Sequence, residues 1–207
     1  MSNSTIVIPQ LPIGNATAVA NMVRKCGGDA IITSNPQDLL EARKVILAGV
    51  GAFDAGMQAL EQGDWLAPLH NLARKGDVPI LGICLGMQLM CKNSEEGKLP
   101  GLGWFDATVH KIVPAQGSGL KVPHMGWNTV HLHRLNSLVN VENEGTRYYF
   151  VHSYHVVCKN SSDVLLTTEY GDHLTASIQT AQLFGVQFHP EKSHRFGLAL
   201  IKNFIIL

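Results

Sequence analysis

The chain lacks an excess of charge of either sign. Its 207 residues include 16 lysines and arginines against 16 aspartates and glutamates, so no overall field attracts nucleic acid or an anionic membrane. No apolar run approaches the roughly 20 residues that span a bilayer, and the segment Ile6–Ile8 is too short for a signal peptide. These absences predict a cytoplasmic protein that contacts neither nucleic acid nor membrane.

The chain also lacks the patterns that mark disulfide frameworks and metal sites. It has four cysteines and no Cys-x-x-Cys pair, which makes Cys26, Cys91 and Cys158 most simply free thiols. His131 and His133 alternate along a predicted strand, but no third ligand follows at a suitable spacing. The sequence therefore predicts no metal and no cofactor.

One cysteine lies in a context that indicates chemistry. Pro79 to Met90 reads as a short apolar strand that turns at Cys84 into an apolar helix, with Gly82 and Gly86 on either side of the turn. This is the pattern of a nucleophile elbow, in which flanking glycines avoid collisions with neighbouring backbone. The start of a helix favours a thiolate. For such a motif alone, a merely buried structural cysteine is the alternative interpretation.

A second motif supplies the partners that a nucleophilic thiol needs. His189 and Glu191 are two residues apart at the end of an apolar strand, so both can lie on one side of an extended chain. A base and an acceptor that orients it complete a catalytic triad with Cys84. A histidine before a proline would otherwise be interpreted as a surface residue that closes a strand.

These motifs resemble those of a known family. Cys84–Gln88 together with Phe188–Glu191 resembles the class I glutamine amidotransferases, which hydrolyse glutamine and deliver ammonia to a synthase. The segments Val122–Asn128, Tyr149–Tyr154 and Gln187–Ser193 narrow the resemblance to the glutaminase subunits of imidazole glycerol phosphate synthase. The resemblance implies an α/β fold and a Cys-His-Glu glutaminase.

The segment Gly49–Gly51 follows a buried apolar strand. In the resembling family this loop provides an oxyanion-hole amide, which corresponds here to Val50, with Gly51 near the substrate. The second donor would be the amide of Leu85. An ordinary strand-to-helix turn is the alternative interpretation of such a glycine pair.

The substrate glutamine also needs contacts at its amino and carboxylate groups. Gln88 lies four residues after Cys84 and so faces the same side of the helix. The resemblance adds a carboxylate at Glu96 and the segment that contains Ser153 and Tyr154. The alternatives are a solvated acidic turn around Glu96 and an ordinary strand at Tyr154.

A predicted loop carries the candidate partner surface. His124 and Trp127 lie among proline, glycine and asparagine residues, and an exposed tryptophan on a loop favours a protein interface. A tryptophan that caps the core is the alternative. By resemblance the loop faces a (β/α)₈-barrel cyclase subunit in a heterodimer, and Asn15 matches another residue at that interface.

The sequence departs from the family near its start. Pro12 stands where the family usually has a flexible glycine, and Ala48 stands where it commonly has proline. Pro12 fixes φ and removes a backbone donor. These changes bear on coupling to a partner and on the Val50 loop more than on glutamine hydrolysis.

The order of predicted elements indicates one α/β domain over residues 1–207. Strands alternate with helices up to the elbow, which predicts parallel strands with crossover helices. Short alternating segments follow, including Thr129–Leu132 and Tyr148–His155, and predict hairpins. The expected fold is a single domain with a mixed, mostly parallel central sheet flanked by helices.

The resulting prediction is a glutaminase that channels ammonia to a cyclase, which forms imidazole glycerol phosphate and aminoimidazole carboxamide ribotide. Two alternatives stay open. A paralogous glutaminase could supply ammonia for sugar amidation in surface-polysaccharide synthesis. The other alternative is an inactive glutamine-binding regulatory subunit. The intact Cys84, His189 and Glu191 argue against it.

Overall fold

The computed structural model describes residues 5–207. Residues 1–4 of the predicted domain lie outside this range. The main feature of the fold is a nine-stranded sheet. The strands are β1 Thr5–Pro9, β2 Asp29–Thr33, β3 Lys44–Gly49, β4 Ile80–Cys84, β5 Ala107–Lys111, β6 His124–Leu132, β7 Arg147–His152, β8 Tyr154–Cys158, β9 Val164–Glu169, β10 His173–Thr180 and β11 Leu183–Val186. The large sheet has the order β2-β1-β3-β4-β11-β10-β9-β6-β7, and β5 pairs separately with β8.

The two halves of the large sheet differ in strand direction. Strands β2, β1, β3, β4 and β11 are parallel, and each following pair is antiparallel. With β9 and β7 added to those five, seven of the nine strands run the same way. The predicted α/β domain with a mixed, mostly parallel sheet is confirmed.

Helices cover both faces of the parallel half. They are α1 Ala16–Lys25, α2 Phe53–Gln62, α3 Leu66–Lys75, α4 Leu85–Leu89 and α5 His194–Ile206. Because side chains alternate along a strand, Ile6 and Ile8 of β1 pack with α1 and α5, whereas Val7 packs on the opposite face with α2 and α3. This burial on both faces explains why the inner strands β1, β3 and β4 are buried along their whole length and mostly apolar.

Two predictions about the second half of the chain were wrong. The predicted loop around His124 and Trp127 is part of β6, because it pairs with β7 from His124↔His152 to Thr129↔Arg147. The single strand predicted for Tyr148–His155 is divided at Ser153 between β7 and β8, which belong to different sheets. Both errors concern pairing between distant segments, which local composition does not encode.

Residues 5–207 contain neither a membrane-spanning helix nor a cluster of metal-ligating side chains. No helix there is long and apolar enough to cross a membrane. Within the same residues, no group of three or more histidine, cysteine, aspartate or glutamate side chains could hold a metal ion.

Candidate active site

Cys84 lies at a sharp turn between β4 and α4. Its φ is +53° and its ψ is −109°, a conformation that non-glycine residues rarely adopt and that costs about 1–3 kcal/mol. A Cβ at Gly82 would lie 2.6 Å from the backbone of Gly86 and Met87, and a Cβ at Gly86 would collide with the Leu47 carbonyl. The elbow geometry therefore requires both glycines. Cys84 is the last residue of β4 and lies at the carboxyl end of this parallel strand.

His189 and Glu191 form a buried hydrogen-bonded pair. The Nδ1 of His189 lies 2.7 Å from the Oε1 of Glu191, and the two side chains are 1% and 4% exposed. His189 follows the end of β11, which is a neighbour of β4 in the sheet, and it lines the same cavity as Cys84. Its buried Nε2 has no hydrogen-bond partner among the described residues, so this nitrogen is free to act in the cavity.

The protonated form of His189 and the ionised form of Glu191 stabilise each other. Burial lowers the pKa of His189, but its interactions with Cys84 and Glu191 outweigh burial and raise that pKa to about 9. Burial raises the pKa of Glu191, but hydrogen bonds from His189 and Asn15 and the charge of His189 hold it below its usual value. At neutral pH the imidazole is therefore protonated on both nitrogens and can donate a proton from Nε2.

Most of the predicted site residues line one cavity of about 360 Å³. This volume lies in the usual range for a small-molecule site. The predicted residues on its wall are Val50, Gly51, Cys84, Leu85, Gln88, Glu96, Ser153, Tyr154 and His189. Pro123, Val151 and His152 complete the lining. Chain segments that are far apart in sequence thus converge on the cysteine.

The amide of Val50 does not have the orientation that the oxyanion prediction requires. It donates a hydrogen bond of 2.8 Å to the carbonyl of Ile13, so it is not available to an anion in the cavity in this conformation. Gly51 follows with a φ of +108°. Leu85 is the first residue of α4, where helix amides have no intrahelical acceptor, so its N–H remains a candidate donor.

Gln88 offers the cavity an acceptor rather than a donor. Its Nε2 donates to the Tyr154 carbonyl at 3.1 Å and to the Oε1 of Gln187 at 3.0 Å. With both amide hydrogens used inside the protein, only the side-chain oxygen remains for a ligand. Gln88 is 5% exposed and lines the cavity.

Glu96 and Ser153 already have structural contacts. The Oε2 of Glu96 accepts from the Phe53 amide at the start of α2, at 2.9 Å, which is a favourable place for a carboxylate. The Ser153 carbonyl accepts from the Ile112 amide. Their predicted roles in glutamine binding remain predictions, and Glu96 would have to contact a ligand while it also caps α2.

The three predicted interface residues have different environments. Trp127 is 37% exposed and stacks on the His194 ring at 5.5 Å with an interplanar angle of 2°. Asn15 donates from Nδ2 to the Oε1 of Glu191 at 2.8 Å. His124 is buried rather than exposed, so a direct contact with a partner would require a rearrangement. The interface roles remain predictions.

A buried chain of hydrogen bonds connects strand β6 to the cavity. The Asn128 amide donates to the Nε2 of His124, the Nδ1 of His124 donates to the Nε2 of His152, and the Nδ1 of His152 donates to the Tyr154 carbonyl. Burial lowers the pKa of His124 to about 4 and that of His152 to about 3. Both rings are therefore neutral, and the Tyr154 carbonyl fixes the proton on each Nδ1.

Sequence reasoning missed Gln187, His152 and the contact between Asn15 and Glu191. Gln187 and His152 are part of motif segments that the sequence does single out, and both are buried. Their polarity within apolar strands is the one signal that could have drawn attention to them, because buried polar side chains need partners. The identity of those partners depends on sheet pairing.

Comparison with known proteins agrees with this geometry. A family model described as glutamine amidotransferase class-I matches residues 13–207. The chain is 44% identical over 200 residues to the imidazole glycerol phosphate synthase subunit HisH 2 of Methanococcus maripaludis, covering 97% of this chain and 98% of that protein. It is 43% identical over 202 residues to HisH 2 of Pseudomonas aeruginosa, covering 98% and 99%.

A solved structure shows the same fold at low identity. It is a glutamine amidotransferase from Thermotoga maritima, with a TM-score of 0.67 and 17% identity, covering 100% of this chain and 82% of that one. The chain belongs to the class I glutamine amidotransferase family. Within that family its similarity is to HisH subunits of imidazole glycerol phosphate synthase.

Proposed function

We propose that this protein is the glutaminase subunit of an imidazole glycerol phosphate synthase. It would hydrolyse glutamine to glutamate and pass ammonia to a (β/α)₈-barrel cyclase subunit in a heterodimer. The observation that carries this proposal is the buried pair of His189 and Glu191, in which His189 lines the same cavity as the strained elbow cysteine. The 44% sequence identity to a HisH subunit, over 97% of this chain, supports it.

The chemistry follows from the positions of three side chains. The thiolate of Cys84 attacks the side-chain carboxamide carbon of glutamine, and the carbonyl oxygen takes up the negative charge. His189 donates its Nε2 proton to the departing ammonia, and a thioester remains on Cys84. His189 then removes a proton from water, which attacks the thioester and releases glutamate. Glu191 holds the imidazole throughout this cycle through Nδ1.

The oxyanion requires donors that the free chain only partly presents. The Leu85 amide is a candidate for one of them, whereas the Val50 amide is engaged by the Ile13 carbonyl. For Val50 to act, that hydrogen bond must break and the peptide between Gly49 and Val50, which carries the Val50 N–H, must turn toward the cavity. Loss of one oxyanion donor typically lowers the rate by about 10²–10³-fold. We therefore expect the free protein to be slow and its partner to stimulate it strongly.

The test is glutamate release by the purified chain, alone and with the histidine-pathway cyclase in the presence of the cyclase's ribonucleotide substrate. Stimulation by about 10²-fold or more is expected when the liganded partner frees the Val50 amide. The Cys84→Ala variant should release no glutamate in either condition, and full turnover by that variant would refute the nucleophile assignment.

Labelling of Cys84 by a glutamine analogue, measured beside glutamate release, addresses the alternatives. If a glutamine analogue still labels Cys84 but the histidine-pathway partner gives no stimulation, the ammonia goes to another synthase, such as one for sugar amidation. If the analogue does not label Cys84 in either condition, the chain is not a glutaminase.

A further inference from the structure

Gln187 is a buried polar side chain to which the mechanism above gives no role. It lies between the end of β11 and His189, and it is 0% exposed. Burial of a carboxamide is costly unless its donor and acceptor groups are paired. Its contacts therefore show what keeps a glutamine, rather than an apolar residue, in this position.

The side chain bridges Gln88 and the nucleophile. The Oε1 of Gln187 accepts from the Nε2 of Gln88 at 3.0 Å, and the Nε2 of Gln187 lies 3.6 Å from the Sγ of Cys84. All three side chains are buried. Gln187 is thus in direct contact with the reacting sulfur.

The orientation of this amide follows from a group that cannot be reversed. The Tyr154 carbonyl only accepts hydrogen bonds, so the atom of Gln88 that lies 3.1 Å from it must be the nitrogen. That nitrogen also contacts Gln187, whose facing atom must then be the oxygen. The remaining atom of the Gln187 amide is the nitrogen, and it points at the sulfur of Cys84.

We propose that Gln187 is a catalytic residue whose side-chain N–H donates to the sulfur of Cys84 and stabilises its thiolate. An amide is suited to this role because it has no basic site near neutral pH and does not compete with His189 for the proton. The interaction strengthens when the sulfur is negative, both before attack and when the thiolate departs from the thioester. No additional reactant or covalent step is needed.

This inference rests on the proposed glutaminase function, but its test does not depend on turnover. The rate at which iodoacetamide alkylates Cys84 is followed against pH, with the Cys84 peptide identified by mass spectrometry. Gln187→Leu removes the donor. Gln187→Glu keeps the shape and the acceptor for Gln88 but places a carboxylate oxygen at the sulfur. Gln182→Glu, at an exposed position before β11, is the matched control.

In both Gln187 variants the pH of half-maximal alkylation should rise by about one unit or more, because a hydrogen bond to a charged group is lost. The control should follow the unaltered chain. Superimposable profiles for the unaltered chain and a folded Gln187 variant would overturn the proposal, as would an equal shift in the control. If Leu prevents folding, the Glu variant provides the same comparison. A chain that shows the shift but releases no glutamate with any partner would instead count against the proposed function.

Discussion

Asn15 offers the sharpest test of how the triad is held. Sequence resemblance places this residue at a partner interface, whereas in the structure it donates to the Oε1 of Glu191 at 2.8 Å. That oxygen also receives the His189 hydrogen bond, and the Oε2 of Glu191 is buried without a hydrogen-bond partner among the described residues. The carboxylate therefore depends on Asn15 for one of its two side-chain donors.

The expected magnitude follows from that dependence. A hydrogen bond to a charged group contributes about 1.5–3 kcal/mol, which corresponds to roughly 10–100-fold if the whole loss appears in the transition state. Asn15→Ala should therefore lower kcat/KM for glutamine by up to about that factor. The pKa of Glu191 should rise, because Asn15 helps to lower it, and the acid limb of the pH profile should move to higher pH.

Asn15→Asp should leave a different signature in the pH profile. Two carboxylates at this distance cannot both be ionised without strong repulsion. The new carboxyl group, while protonated, would still donate to Glu191, so activity should survive at low pH and fall as the pH rises and that group ionises. The Ala variant has no such group and should not show this alkaline loss.

The assay is glutamate release against pH, with and without the cyclase subunit. Asn160→Ala, at an exposed position whose side chain caps no helix, is the control. If Asn15→Ala keeps the basal rate and pH profile of the unaltered chain and loses only stimulation by the partner, Asn15 acts at the interface and the positioning argument is wrong.

Two further predictions concern stability. Gly86→Ala should lower the free energy of unfolding by about 3 kcal/mol or more, because the added Cβ collides with the Leu47 carbonyl; an unchanged denaturation midpoint would contradict the elbow geometry. The free energy of unfolding should also fall as the pH drops from 6.5 to 5. Burial lowers the pKa of His124 to about 4 and that of His152 to about 3. In this pH range the unfolded chain therefore binds more protons than the folded chain, and acid favours unfolding. Each histidine contributes at most about 2 kcal/mol over this window, and His152→Asn should flatten the slope measured by denaturant titration. His189 does not oppose this trend: its pKa is raised to about 9, so its contribution is fully present below pH 6.5 and is lost only as the pH rises toward 9.

The parts of the site that short sequence motifs could predict are those set by local backbone geometry. Gly82 and Gly86 mark the elbow because their neighbours leave no room for a Cβ. His189 and Glu191 meet because they are two residues apart at the end of a strand. The first half of the fold was equally accessible, since apolar strands alternate with amphipathic helices.

The parts that could not be predicted depend on pairing between distant segments. The strand at His124 forms because β7 lies beside it, despite the glycine and proline residues that favour a loop. Gln187 contacts a cysteine 103 residues away. The acceptor for the Val50 amide is the carbonyl of Ile13, in a segment where the sequence departs from the family pattern. No local pattern in the sequence specifies these contacts.

These contacts divide the site into a part that is assembled and a part that is held back. Cys84 is fixed in a strained conformation by the close approach of Gly86 to β3, and the charge of His189 is stabilised before any substrate arrives. The Val50 amide, in contrast, is turned away from the cavity by a hydrogen bond of 2.8 Å to the Ile13 carbonyl. The hydrogen bond between Val50 and Ile13 has a net strength of about 0.5–1.5 kcal/mol. This is small beside the transition-state stabilisation by an oxyanion donor, which is about 2.7–4 kcal/mol, or 10²–10³-fold in rate. On the proposed mechanism, we therefore expect a partner that binds near the Gln10–Ile13 segment to need little binding energy to release the Val50 amide, and we expect glutamine hydrolysis to be slow without it.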